Sequence, residues 1–393
     1  MARSASAPRR LGRRPALDGL RAVAVVLVVG IHVGLVTAGY LGVDVFLPLS
    51  GFLITALLYE EWERSGTISL RRFFVRRARR LLPALALLLA GYALVIVLLH
   101  PFGLTWPLGR VIATTALFVN NWIATLVPAH GSVLGALSPT WTLAEEGQFY
   151  LLWPTVLLLL LRRGVRPERV LLVLLAAMVG LVAAGAVAGM VEPAYNAYTD
   201  PLARGAELLL GAAAAIVWRE RFVPQALCHP VAGWVAAAGI AGLVASARPA
   251  APVWYLTGAA LSALLIVNLV GRPETAPPQA PTGARRWLRV AGPDPLRRGL
   301  RSWPLASTGR ISYGIYLFHV PIYYLVWTYL HAPIYHVIGT DLHLSPADAY
   351  WPLVVALSIA VAAVSWKLIE APVLGVRYRA SRLRRPNSSP RFA

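Results

Sequence analysis

Arg21 and His32 stand eleven residues apart within one apolar stretch, LDGLRAVAVVLVVGIHVG, residues 17–34. On a helix that spacing is about 16 Å of rise and about three full turns, so both side chains leave from one face. An ionisable ring at lipid depth is costly and normally faces a polar cavity. If one of its nitrogens is held by a hydrogen bond, the other is left as a base. The next apolar stretch, LGVDVFLPLSGFLIT, carries Asp44 and Ser50, with Gly42 and Gly51 allowing close helix approach. A short turn separates the two stretches, so Asp44 could reach His32 and orient its imidazole. The bland alternatives stay open: His32 bonding a neighbouring helix, and Asp44 capping the start of its own.

Phosphate chemistry is suggested by FFVRRARRLLPAL, residues 73–85. Arg76 and Arg79 are spaced i, i+3, as are Arg77 and Arg80, so one helical turn offers paired guanidinium forks suited to phosphate oxygens. Ordinary anchoring at the cytoplasmic face explains the same run. In SPTWTLAEEGQFYLLWP, residues 138–154, Glu145 and Glu146 are adjacent and cannot face the same way on a helix. Glu146, four positions before Tyr150, is the one expected to point into a cavity, although acidic residues also stabilise a helix start. His319 in ISYGIYLFHVP is read as structural or acceptor-facing, and Glu370 in WKLIEAP as a partner for cytoplasmic arginines. His130 and His229 fall in loops without a recognisable spacing, and no P-loop, HExxH or cysteine-based metal signature occurs.

The elements that must position these groups are membrane helices. The chain has 393 residues, 58% hydrophobic and only 14% charged, with a mean hydropathy of +0.62. Apolar runs near 17–37, 42–59, 82–100, 108–127, 148–161, 170–190, 201–218, 231–247, 253–270, 305–331 and 350–369 have the length that a hydrocarbon core about 30 Å thick requires. The expected fold is therefore all-α and polytopic. Arginine-rich connections at 71–80, 162–169, 219–221 and 271–301 belong inside by the positive-inside rule, as do both termini. That alternation admits ten crossings only if the segment 108–161 contains a re-entrant or interfacial piece. The expected layout is a basic arm at 1–16, a transmembrane domain at 17–371 with a cytoplasmic loop at 271–303, and a basic tail at 372–393.

The net charge is +20, and all but one of the 37 basic residues are arginine, Lys367 being the exception. They cluster beside apolar spans, which points to membrane anchoring and anionic phosphates and away from nucleic acid. The skew towards Arg, Ala, Gly and Pro fits a GC-rich bacterial genome. A single cysteine, Cys228, excludes an internal disulfide. The N-terminus resembles the basic region of a signal peptide, but no small-x-small site follows His32, so a retained first span is expected. No internal repeat of the kind that builds many transporters is evident.

With these residues in view, the chain resembles acyltransferase family 3, membrane O-acyltransferases. The likeness runs through LDGLRAVAVVLVVGIHVG, LGVDVFLPLSGFLIT, FFVRRARRLLPAL, WTLAEEGQFYLLWP, YGIYLFHVP and WKLIEAP. It implies a ten-helix core in the bacterial cytoplasmic membrane that moves an acyl group from acyl-CoA, with acetyl or another short chain, to a hydroxyl without a metal. It further implies His32 as base, Arg21 as its signature partner, and Arg76 and Arg79, or Arg77 and Arg80, as coenzyme A phosphate contacts. Asp44 would orient His32, and Ser50, Glu146, Tyr150 and His319 complete the expected substrate-facing set. Two departures stand out: Thr142 where the family usually has Ser, and Gly147 where many members have a second Glu before Gln. The short form suggests a small glycosylated or macrolide acceptor in antibiotic tailoring. The alternatives are O-acetylation of a cell-surface polysaccharide or glycolipid, and an acyl shuttle without the final transfer.

Overall fold

A computed structural model describes residues 10–99, 106–127, 133–192, 195–246, 252–272, 294–334 and 346–375. Helices make up this structure, and no strand occurs among the described residues. They are α1 (Pro15–His32), α2 (Val43–Ser65), α3 (Leu70–Leu99), α4 (Leu108–Ala116), α5 (Asn120–Leu126), α6 (Trp141–Arg162), α7 (Pro167–Val191) and α8 (Pro201–Arg219). They continue as α9 (Pro230–Ala245), α10 (Pro252–Gly271), α11 (Pro295–Leu300), α12 (Trp303–Arg310), α13 (Ser312–Ile334), α14 (Pro346–Ser365) and α15 (Ala371–Val373). Among the described residues, seven helices are long and apolar enough to cross a membrane by length and composition: α1, α2, α3, α7, α8, α10 and the stretch from Tyr350 to Val373. The chain is a multi-pass, all-α membrane protein. Leu94, Leu98, Leu172 and Met190 turn outward from α3 and α7, as residues facing lipid should.

Local chemistry sets the boundaries. Pro15 opens α1, where its missing N–H costs nothing, and Asp18 sits favourably in the first turn. Gly66 ends α2 in the left-handed region at φ 66°, its N–H bonding Trp62 O at 2.7 Å. Asp200 caps α8 by accepting from the Leu202 N–H at 2.8 Å. His229 does the same for α9 through the Val231 N–H at 3.3 Å, which gives this loop histidine a structural role.

The segment 108–161 divides as the charge alternation requires. Its first half is α4 and α5, helices of 9 and 7 residues separated by a sharp turn at Phe118, whose φ is 57°. Neither is long enough to cross a bilayer, whereas α6 has 22 residues. Two expectations need correction. The run 305–331 is not one helix: α12 ends at Arg310 and α13 begins at Ser312, the helix being interrupted at Ile311, while Gly309 lets the end of α12 press against the backbone of Asp18. The connection 271–303 is not wholly irregular, since Pro295–Leu300 is helical; residues 273–293 lie outside the described residues.

Helix α2 is the central post, packed closely on α8 and against α6 and α10. Gly51 faces the Leu208 carbonyl and Gly211 faces the Pro48 carbonyl, so a Cβ at either would drive into the opposing backbone. Gly42 meets the Ala24 carbonyl in the same way, bringing the start of α2 onto α1. These close crossings hold α1 and α8 tightly against α2.

Candidate active site

The two ends of α1 open into two separate cavities. Arg21 lines the first, with empty volume of about 680 Å³, together with Arg77 and Arg80 of α3, Glu146 and Tyr150 of α6 and Tyr313 of α13. His32 lines the second, of about 880 Å³, with Tyr40, Trp141, Asn196, Tyr198 and Thr199. Val43 and Tyr316 line both and form the wall between them.

In the histidine cavity the hydrogen bonds assign the tautomers. His32 Nδ1 lies 2.8 Å from Val28 O, and a carbonyl only accepts, so Nδ1 carries the proton. His319 Nδ1 lies 2.6 Å from Tyr316 O and is protonated for the same reason. The Nε2 of His319 is therefore a bare lone pair, and it sits 3.3 Å from His32 Nδ1. The rings meet edge to face at 76° with centroids 4.8 Å apart. His32 Nε2 has no hydrogen-bond partner among the described residues and carries that ring's free lone pair. A neutral imidazole held at Nδ1, with Nε2 unclaimed in a cavity, can take a proton from a hydroxyl.

Asp44 does not supply this support. It accepts from Arg204 Nη1 at 2.6 Å, and Arg204 also donates to Glu207 Oε1 at 2.6 Å and to Tyr198 O at 2.8 Å. All three charged side chains are completely buried. The reason is that Asp44, in the first turn of α2, faces α8, and a guanidinium relieves a buried carboxylate better than a neutral ring does. Arg204 is the functional-looking residue that the sequence reading passed over. Its signal was a charged pair, Arg204 and Glu207 at i, i+3, inside an otherwise apolar span. The guanidinium also lies 4.7 Å from the ring centroid of Tyr198 and 5.6 Å from that of Trp141, bracing two walls of the histidine cavity.

In the arginine cavity Glu146 points inward, as expected. Ser50 Oγ donates to its Oε1 at 2.5 Å and Tyr150 OH to its Oε2 at 2.8 Å. Glu145 turns the other way and accepts from Asn121 Nδ2 at 2.6 Å, tying α5 to α6. Gln148 closes this polar contact by donating to Phe118 O at 2.8 Å. Gly147 leaves room for the phenyl ring of Phe118, which a Cβ would approach to 2.6 Å, so that one of the two would have to shift.

The four arginines of α3 separate by helix face. Arg77 and Arg80 line the cavity, whereas Arg76 donates to Glu61 Oε2 at 2.9 Å and Arg79 is exposed. Arg21 Nε and Arg77 Nε are buried and have no hydrogen-bond partner among the described residues. Buried guanidinium donors left unfilled beside a cavity suit an anionic guest. Glu370 accepts from Ser365 Oγ at 3.0 Å, as the π turn Trp366–Glu370 brings residues five apart together, and it feels the charge of Arg80 without a direct ion pair. His130 lies outside the described residues. Among the described residues, no cluster of three or more His, Cys, Asp or Glu side chains is arranged to hold a metal.

Comparisons with known proteins agree with this architecture. The chain is 30% identical over 379 residues to the peptidoglycan O-acetyltransferase OatA of Listeria monocytogenes, covering 91% of this chain and 55% of that protein. It is 30% identical over 324 residues to the putative peptidoglycan O-acetyltransferase YrhL of Bacillus subtilis, covering 78% and 48%. It is 27% identical over 376 residues to the O-acetyltransferase OatA of Staphylococcus aureus, covering 91% and 57%. The chain spans about half the length of these curated relatives. No solved structure matches it. The family model described as "Acyltransferase domain" matches residues 14–370, which include both cavities and every residue that lines them, and the chain belongs to that family.

Proposed function

We propose that this protein is a membrane O-acyltransferase that moves a short acyl group from acyl-CoA to a hydroxyl of a cell-surface polysaccharide. The observation that carries the reading is His32: its Nδ1–H is engaged by Val28 O and faces His319 Nε2, while its Nε2 stands unclaimed in a cavity. The neighbouring cavity, with Arg21, Arg77 and Arg80, would take the phosphates of the donor. By the positive-inside rule this arginine side faces the cytoplasm, where acyl-CoA is made, with both termini on the same side. The pantetheine arm would then reach from the arginines to the wall at Tyr316.

His32 Nε2 takes the proton of the acceptor hydroxyl as its oxygen attacks the thioester carbonyl. The tetrahedral adduct collapses, the C–S bond breaks, and the departing sulfur receives that proton from His32. Product ester and coenzyme A result, with His32 restored. Direct transfer in this form needs no acyl-enzyme, and no metal enters any step.

Peptidoglycan is named as the acceptor of two of the relatives, which favours a cell-wall glycan over a small macrolide-type acceptor. Purified protein given acetyl-CoA and soluble glycan fragments should release free coenzyme A and ester together, and His32→Ala should abolish both. Full turnover in that variant would remove His32 from the chemistry. Movement of acyl groups across vesicles without ester formation would identify the shuttle instead.

A further inference from the structure

The two cavities come within one side chain of each other. Val43 and Tyr316 line both. Val43 is a short apolar residue at the start of α2, whereas Tyr316 is fastened at its far end. Its hydroxyl donates to Pro139 O at 2.7 Å and accepts from Thr142 Oγ1 at 2.7 Å. Both partners lie at the entry to α6, where Pro139 lines the histidine cavity and Thr142 the arginine cavity. The ring is steadied edge to face on Phe46, with centroids 6.1 Å apart.

Resting on the transferase reading above, we infer that Tyr316 is a latched partition: its ring separates donor from acceptor, and the two meet only when its hydroxyl leaves Thr142 and Pro139. A thioester held by the arginines and a base in the other cavity must meet across this wall. Until an acceptor arrives, an open wall would expose the thioester to water beside His32, and hydrolysis would consume the donor. A closed wall prevents that loss.

The latch can open without disturbing the base. The main-chain carbonyl of Tyr316 accepts from His319 Nδ1, and it belongs to the helical backbone of α13. Rotation of the Tyr316 side chain moves the ring and leaves that carbonyl in place, so His319 keeps its tautomer while the passage widens. Two neutral hydrogen bonds fasten the hydroxyl, beside the ring contacts to Phe46 and His319, and their loss should raise the open population roughly tenfold. Thr142 has a further role in this arrangement, since its hydroxyl is the donor that completes the latch.

Two measurements on the full chain in vesicles test the partition. The first needs no transfer chemistry. In a Cys228→Ser background, Ser138→Cys places a thiol on the wall of the histidine cavity, and a charged, membrane-impermeant thiol reagent is applied to each face in turn. With Tyr316 intact the thiol should react from one face only; with Tyr316→Ala it should react from both. Reaction from both faces with Tyr316 intact, or from one face in Tyr316→Ala, overturns the inference.

The second measurement follows coenzyme A release from acetyl-CoA with no acceptor present. Tyr316→Phe, which keeps the ring and removes both latch bonds, should raise it roughly tenfold, and Thr142→Val, which leaves the bond to Pro139 O, should raise it by about threefold. Unchanged release in both variants, in a protein that still transfers acetyl to glycan, overturns the inference. If acetyl-CoA is inert with every variant while labelling opens to both faces in Tyr316→Ala, the partition stands and the transferase reading falls.

Discussion

His319 Nε2 points its lone pair at His32 Nδ1 from 3.3 Å, so the second histidine receives from the first and does not donate to it. That polarity gives His319 a supporting role. Its removal leaves Val28 O as the sole acceptor of the His32 proton, and the ring gains freedom. His319→Ala should lower kcat for transfer roughly tenfold to a hundredfold with the KM for acyl-CoA nearly unchanged, an effect of the size seen when the orienting partner of a histidine is lost. His319→Gln, whose side-chain oxygen can accept the same proton, should recover part of the loss. Equal inactivity of the two variants would indicate that His319 does more than accept.

The helix faces of α3 make a sharper division than the doubled motif suggests. Arg77→Ala and Arg80→Ala remove guanidinium groups that line the cavity, and each should raise the KM for acyl-CoA about tenfold or more, as expected for a lost charge-assisted hydrogen bond. Arg79→Ala changes an exposed side chain and should leave that KM within about twofold. Titration of acetyl-CoA binding to the detergent-solubilised protein checks both. A large effect at Arg79 with none at Arg77 would place the phosphates on the exposed face.

Much of this site could be read in the sequence because its signals are local. The divergence of Glu145 and Glu146 follows from helix geometry, and the non-spanning piece within 108–161 follows from charge alternation. Glu146, of the two adjacent carboxylates, is the one expected to face a cavity, and it lines the one with Arg21. What could not be read is who meets whom across the bundle. Asp44 is 160 residues from Arg204, and neither periodicity nor hydropathy indicates which helix supplies a buried partner. The choice between Arg77 with Arg80 and Arg76 with Arg79 was open for a related reason: the i, i+3 rule gives two equivalent faces, and only packing against α6 and α13 decides which is covered.

The steric fit between Gly147 and Phe118 makes a two-residue prediction. Gly147→Glu would restore the carboxylate common in the family, yet its Cβ would collide with the phenyl ring that the left-handed turn presents. Overpacking of this kind costs about 1–3 kcal/mol, read as a lower midpoint of thermal unfolding in detergent. Phe118→Gly removes the ring and suits the positive φ, so the double variant should regain most of the loss. If the single variant unfolds at the original temperature, the collision is relieved by movement of α4 and α5 and the pairing is not a constraint.

The buried cluster of Arg204, Asp44 and Glu207 makes the strongest stability prediction. Arg204→Met removes the cation and leaves two carboxylates in an apolar interior with nothing to balance them, which should cost about 3–5 kcal/mol and reduce the yield of folded protein. Adding Asp44→Asn and Glu207→Gln to that variant makes the cluster neutral and should recover most of the thermal stability. Recovery of folding need not recover function, because the guanidinium also braces Tyr198 and Trp141 at the wall of the histidine cavity. The triple variant should therefore unfold near the original temperature while its KM for the glycan acceptor rises and its KM for acyl-CoA does not. A triple variant with unaltered acceptor KM would reduce Arg204 to a neutraliser of Asp44 and Glu207; one that stays unfolded would show that the cation–aromatic contacts, including the one 3.9 Å from the ring centroid of Tyr255 on α10, and not charge balance, hold α8 against α6 and α10.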